Sequence, residues 1–231
     1  MSQVNTKIVS NVPSAASPVS PAAPAPSPAP PPTAQAHPHS GDVFEGTAAA
    51  SADSTGDMAA EIAALDAACE KIPHYKNNPH MTPEFKAKII EVAQKLDTEP
   101  KTLVAIMAFE SKLNPAAKNK KTNATGLIQF MPGTAKAYKT TTQALGKMSA
   151  VEQMDYVEKY FSQKMFKGKL NSPADAYMAV LWPKAVGKPM EYVLFSKDSP
   201  EYKQNPLDFD KDGKVTKEEA SRKIRKFLGE I

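Results

Sequence analysis

The stretch Phe109–Ala135, "FESKLNPAAKNKKTNATGLIQFMPGTA", decides how the rest of the chain is read. Glu110 closes the apolar run that begins at Leu103, and no other acid occurs in the stretch. The next carboxylate along the chain is Glu152. After Glu110 come a lysine- and asparagine-rich loop and then the oily segment Gly126–Pro132. A carboxyl group among apolar side chains is costly to ionise, so its pKa rises. Such a group holds a proton at neutral pH and can hand it to a departing sugar oxygen. Glycosidases usually pair that acid with a second carboxylate. Here a second one would have to fold back from Asp155, Asp175 or Glu191, and nothing in their spacing requires it. A single carboxyl group can instead act as acid and then base, with a hydroxyl of the substrate as nucleophile. The plain alternative is a surface charge at a helix end.

Working outward, the chain reads as mainly helical. Ile62, Leu65, Cys69 and Ile72 recur at helical spacing after Asp57, a candidate cap. Thr82-Pro83 reads as a capping hydroxyl with proline in the first turn, ahead of the apolar stripe Phe85, Ile89, Ala93 and Leu96. Thr98-Glu99-Pro100 opens the helix that leads to Glu110, and Pro115 closes that region. Pro132 starts a short helix, and Ser149 with Glu152 forms a capping box. Ser172-Pro173 starts another helix, ending at Trp182, and a last helix begins near Thr216. Only "EYVLF" at 191–195 suggests a strand.

Composition removes several function classes. All four histidines, His37, His39, His74 and His80, lie in the first 80 residues, so the remainder has no Ser-His or Cys-His pair and no histidine-held zinc. Cys69 is the single cysteine, so no internal disulfide forms, and its helical spacing reads as packing. No apolar run is long enough to span a membrane. Residues 81–231 are basic, almost entirely through lysine, since Arg222 and Arg225 are the only arginines. That balance argues against nucleic acid and fits either a polyanionic envelope or a merely solvated face. Residues 10–40 are rich in Pro, Ala and Ser and read as a disordered tail extending to about residue 56. The tail is a spacer or an arm toward virion or secretion-machine components. The start "MSQVNTKIVS" lacks the apolar stretch of a secretory signal.

Two motifs in order carry a family resemblance. Glu110-Ser111 is followed by Gly126-Leu127-Ile128-Gln129-Phe130-Met131-Pro132-Gly133-Thr134-Ala135. The pair closely resembles the soluble lytic transglycosylases, which share the goose-type lysozyme fold. The resemblance implies that Glu110 is the catalytic acid/base and that the substrate is peptidoglycan. It also implies cleavage of the β-1,4 bond between N-acetylmuramic acid and N-acetylglucosamine, leaving 1,6-anhydro ends. Ser111 follows the catalytic residue, Gln129 and Met131 would line the sugar groove, and Asn119 would make a polar contact near the reacting ring. The third family motif, Ala-Tyr-Asn-x-Gly, is kept here as Ala176-Tyr177, with Met178 for Asn and Val180 for Gly. Tyr177 therefore carries over as a substrate-side residue, and the asparagine's role does not. The stretch from Tyr177 to Phe195 resembles a subgroup found in phage virions and with bacterial secretion systems. Action in the periplasm or cell wall after specialised delivery is what that subgroup implies. A hydrolytic lysozyme on the same fold and a non-enzymatic, calcium-dependent wall-binding protein are the competing readings.

"DFDKDGKVTKEE", Asp208–Glu219, fits the EF-hand calcium loop. Asp208, Asp210 and Asp212 stand at its first, third and fifth positions, and Gly213 allows the turn. Lys214 offers a carbonyl, Thr216 follows, and Glu219 closes the loop. Asn205-Pro206 should interrupt any long helix entering it. A single structural calcium site that fastens the C-terminal helix is the expectation. The chain thus divides into a tail at 1–56, a helical lead-in at 57–77, a catalytic domain at 78–200 and the calcium unit at 201–231.

Overall fold

A computed structural model describes residues 50–231. Capping hydroxyls and first-turn prolines set its helices. Thr82 accepts a hydrogen bond from the Phe85 N–H at 3.3 Å and Pro83 follows, starting α2 (Pro83–Lys95). Pro100 opens α3 (Pro100–Ser111), with Glu99 at the cap position. Ser149 and Glu152 form a reciprocal capping box that starts α6 (Ala150–Phe161). Ser172 accepts from the Asp175 N–H at 3.1 Å ahead of α7 (Pro173–Leu181). Thr216 and Glu219 make a second capping box at α9 (Lys217–Phe227). The shorter helices are α4 (Pro132–Ala137), α5 (Thr142–Leu145) and α8 (Pro200–Gln204).

The first helix differs from the sequence expectation. α1 spans Ala50–Cys69 and passes through both Gly56 and Asp57, so Asp57 is not a cap. Alanine is the best helix former, and one interior glycine costs only about 1 kcal/mol. The alanines around 50–60 therefore extend the helix back past the glycine. Of the tail expected at 1–56, residues 1–49 lie outside the described residues and 50–56 belong to α1.

α3 forms the middle of the molecule. Every residue from Thr102 to Ala108 is buried. A helix that is apolar on all sides has to be covered on all sides, and α1, α2, α7 and α9 do so. α6 packs on α2, and α7 packs on α9. β1 (Val193–Ser196) pairs antiparallel with β2 (Lys214–Thr216), Phe195 facing Val215, and a bulge falls between Val193 and Phe195. β1 answers to the one strand expected from sequence. Trp182 stands edge-on to Phe195 at 5.0 Å between ring centres, joining this ribbon to the core. The architecture is mainly helical, as expected.

Candidate active site and cation loop

Glu110 occupies the last turn of α3. The helix stops because Lys112 and Leu113 both adopt left-handed backbone, at φ 58° and 62°. Their N–H groups donate to the carbonyls of Ala108 and Met107. Asn78, from the turn after α1, donates its amide to the Lys112 carbonyl at 3.0 Å. Leu113 is fully buried and anchors the turn. The glutamate is thus set at a rigid helix end rather than on a loose loop.

Its surroundings are apolar. The residue keeps partial exposure, yet Oε1 is closed off from solvent and has no hydrogen-bond partner. Burial pushes its pKa up to about 8. The carbonyl end of α3 acts in the same sense on an anion. No acidic side chain contributes to that rise. Two of the three carboxylates that sequence left open as partners are committed elsewhere. Asp155 pairs with Lys88 at 3.2 Å, and Asp175 pairs with Lys217 at 2.6 Å. Glu191 is exposed.

Tyr177 is brought to the same place from α7. Its hydroxyl is buried without a hydrogen-bond partner. Burial, and then the Glu110 charge, hold its pKa well above the usual tyrosine range. Its ring meets Phe109 edge-on at 5.6 Å. Buried polar groups are nearly always satisfied. Here two unpaired ones lie in electrostatic contact.

The second motif is folded into a tight wall. Thr125 and Phe130 exchange backbone hydrogen bonds at 3.1 and 2.9 Å, and Lys118 bridges Thr125 on the other side. Gly126 has φ +88°, and a Cβ there would collide with the Gln153 side chain. Gln129, at φ 54°, is a non-glycine residue in left-handed backbone, a cost commonly met at functional sites. Its amide donates to the carbonyls of Gly126 at 3.0 Å and Ala117 at 3.2 Å. Gln129 and Met131 line a small cleft with Phe130, Thr134, Tyr160 and Val180.

Two other expected contact residues spend hydrogen-bonding atoms on the chain itself. Ser111 is buried, and its hydroxyl donates to the Met107 carbonyl at 2.9 Å, which leaves no proton for a sugar. Asn119 accepts from the N–H groups of Lys121 at 2.9 Å and Thr122 at 3.3 Å, so its carbonyl shapes the lysine loop.

Sequence reasoning did not single out Gln153, Tyr160 or Val180 as site residues. Tyr160 donates to the Ala179 carbonyl at 2.7 Å. Burial, Tyr138 and the Glu110 charge together raise its pKa. Gln153 and Tyr160 lie seven positions apart on one face of α6. A fully buried glutamine on an apolar helix face was the available signal. Val180 lines the same cleft.

At the other end of the chain, Asp208, Asp210 and Asp212 offer oxygens within 4.8 Å of one another. Asp208 accepts from the Lys211 and Gly213 N–H groups at 2.7 and 3.0 Å and from the Tyr202 hydroxyl at 2.5 Å. Asp210 accepts from the Asp212 N–H at 3.0 Å, and Asp212 from the Lys214 N–H at 2.7 Å. Glu219 accepts from the Phe209 N–H at 2.8 Å through one oxygen and caps α9 with the other. An all-oxygen, carboxylate-rich donor set fits a hard cation. α8 ends at Gln204, directly before Asn205-Pro206, so no long helix enters the loop.

This unit is joined to the active-site helices. Lys217 is 2% exposed; its ammonium donates to Asp175 at 2.6 Å and to the Lys188 carbonyl at 2.7 Å. Burial alone would raise the pKa of Asp175. Lys217, the Gly187 N–H and Ser172 outweigh it and hold the carboxyl below its usual range. Phe227 of α9 meets Phe109 at 6.4 Å, and the Lys223 ammonium lies 5.0 Å over the Phe109 ring.

No curated protein and no solved structure matches the chain. Residues 87–177, from α2 through Tyr177, match the family model of the transglycosylase SLT domain, and over that stretch the chain carries a lysozyme-like domain of the SLT type.

Proposed function

We propose that the protein is a peptidoglycan lytic transglycosylase in which Glu110 alone supplies the acid and the base. The observation that carries this reading is a lone glutamate held neutral by burial, beside an unpaired buried tyrosine, inside an SLT-type domain. SLT domains act on the glycan strands of the bacterial wall.

Protonated Glu110 donates to the glycosidic oxygen between N-acetylmuramic acid and N-acetylglucosamine. The bond from that oxygen to the muramic C1 breaks, and the glucosamine leaves with a free 4-hydroxyl. The resulting carboxylate takes the proton of the muramic 6-hydroxyl as that oxygen bonds to C1. The product is a 1,6-anhydro end, no water is consumed, and Glu110 is protonated again. With a pKa near 8, the acid form is about nine-tenths populated at pH 7. Activity is lost as pH rises through that value. Tyr177, whose buried hydroxyl feels the Glu110 charge, would donate to the carboxylate that forms. Gln129 and Met131 face the glycan from the cleft wall.

Asp208, Asp210 and Asp212, with the Lys214 carbonyl, Thr216 and Glu219, would hold one calcium ion whose task is to fix the start of α9. The enzyme would open the wall locally after delivery by a virion or a specialised secretion machine.

Glu110→Gln tests the enzymatic reading. The variant should lose about 10²–10⁴-fold in wall-clearing rate. Mass spectrometry of the wild-type digest should show anhydro ends. Reducing ends would mean that water is the nucleophile, and undiminished clearing by Glu110→Gln would remove Glu110 from the chemistry.

A further inference from the structure

Gln153 is fully buried on α6, and the side chain spends both ends of its amide on backbone. Oε1 accepts from the Leu127 N–H at 2.9 Å. Nε2 donates to the Pro115 carbonyl at 2.7 Å and to the Leu145 carbonyl at 2.7 Å. Pro115 lies four residues beyond the end of α3, past the Lys112–Leu113 turn, and Leu127 belongs to the segment that carries Gln129 and Met131. One side chain therefore ties the chain just beyond the Glu110 helix end to the segment of the second motif. The contact is close as well as polar, because the absence of a Cβ at Gly126 is what admits the amide. Leu145, the third point, is fully buried at the end of α5.

We propose that Gln153 is a positioning residue of the reaction. Its amide fixes the distance between the Glu110 turn and the Gln129–Met131 wall, through Pro115 and Leu127. The inference rests on the reading of Glu110 as the acid, and it adds a residue that touches neither sugar nor proton. A glutamine suits the task because an amide accepts and donates at once. A carboxylate there would lack donors for the two carbonyls, and a leucine or methionine would satisfy none of the three groups. The Gln129 amide is held through the same frame. It donates to the Gly126 and Ala117 carbonyls, and the Gln129 N–H donates to the Gly126 carbonyl at 3.0 Å. A shift of Gly126 therefore moves Gln129 with it. Errors of about 1 Å in such supports cost on the order of 10²-fold in rate.

The test uses the full chain with Gln153→Met, which keeps the length and apolar bulk and removes the amide. Amide hydrogen exchange should accelerate at Leu127 and Gln129 while α2 and α3 keep wild-type protection. On soluble glycan strands, kcat per folded molecule should fall about 10- to 100-fold, with a much smaller change in KM. Unchanged exchange at Leu127 overturns the proposal. So does a uniform rise in exchange across the domain with kcat per folded molecule intact, which is the signature of a merely structural residue. If Gln153→Met does not fold, Gln153→Asn, whose amide is one methylene short of its partners, is read by the same criteria. Failure of both to fold overturns the proposal in favour of a folding role. Should Glu110→Gln prove active, the reading of Glu110 falls, and exchange at Leu127 still judges the clamp by itself.

Discussion

At the residue scale, the burial of Glu110 makes stability depend on pH. A carboxyl whose folded pKa is raised contributes fully to stability below its unfolded value, ordinarily about 4.5. That contribution is lost as pH rises through about 8, because the unfolded chain ionises freely and the folded one cannot. Glu110→Gln removes the liability. Its melting temperature should match that of wild type near pH 4.5 and exceed it by roughly 2–4 °C per kcal/mol regained at pH 8–9. Scanning calorimetry at those two pH values checks this, and a constant difference would show that burial does not govern the carboxyl. The position of Glu110 was legible from the sequence: an apolar run closed by an acid, then no further acid until Glu152. The inward turn of Ser111 was not legible. A serine's hydroxyl in a helix's last turn can bond either a ligand or its own helix, and only packing decides. The same holds for Asn119, which folds onto the lysine loop.

At the element scale, the caps carried most of the legible information. Thr82-Pro83, Ser149 with Glu152, Ser172-Pro173 and Thr216 with Glu219 each mark a helix start where it falls. α1 was misjudged at its beginning because a glycine and an aspartate look like a boundary, whereas alanine propensity carries the helix through them. α5 was too short to show a period in sequence. The joining of α9 to α7 was also invisible. Lys217 looks like one of many surface lysines, yet it lies buried against Asp175. Lys217→Met leaves that carboxylate without its main partner. The loss should be about 3–5 kcal/mol in denaturant unfolding. The double variant with Asp175→Asn should recover part of it. A loss below about 0.5 kcal/mol would class the pair with ordinary surface bridges.

At the scale of the whole molecule, the acidic loop Asp208–Glu219 and α3 share one core. α9 leaves the loop, crosses α7 and reaches Phe109, the neighbour of Glu110. Calcium that binds only the folded chain stabilises it by mass action, about 2.7 kcal/mol when free ion is 100 times its dissociation constant. A chelator should therefore lower the melting temperature of wild type, and Asp208→Ala with Asp212→Ala should abolish the difference. Identical melting of wild type with and without chelator would argue that no ion is held there.

The packing of α9 also bears on where the working unit ends. The stretch that matches the SLT family model stops at Tyr177, but the cover over the end of α3 is supplied by residues beyond Lys217. A fragment trimmed to the recognisable stretch would lay bare the flank of α3 that Phe227 covers and strip Asp175 of its counter-ion. Modularity here belongs to sequence comparison and not to the physical object. Any transplant of the Glu110 site has to bring the acidic loop and its trailing helix along as scaffolding.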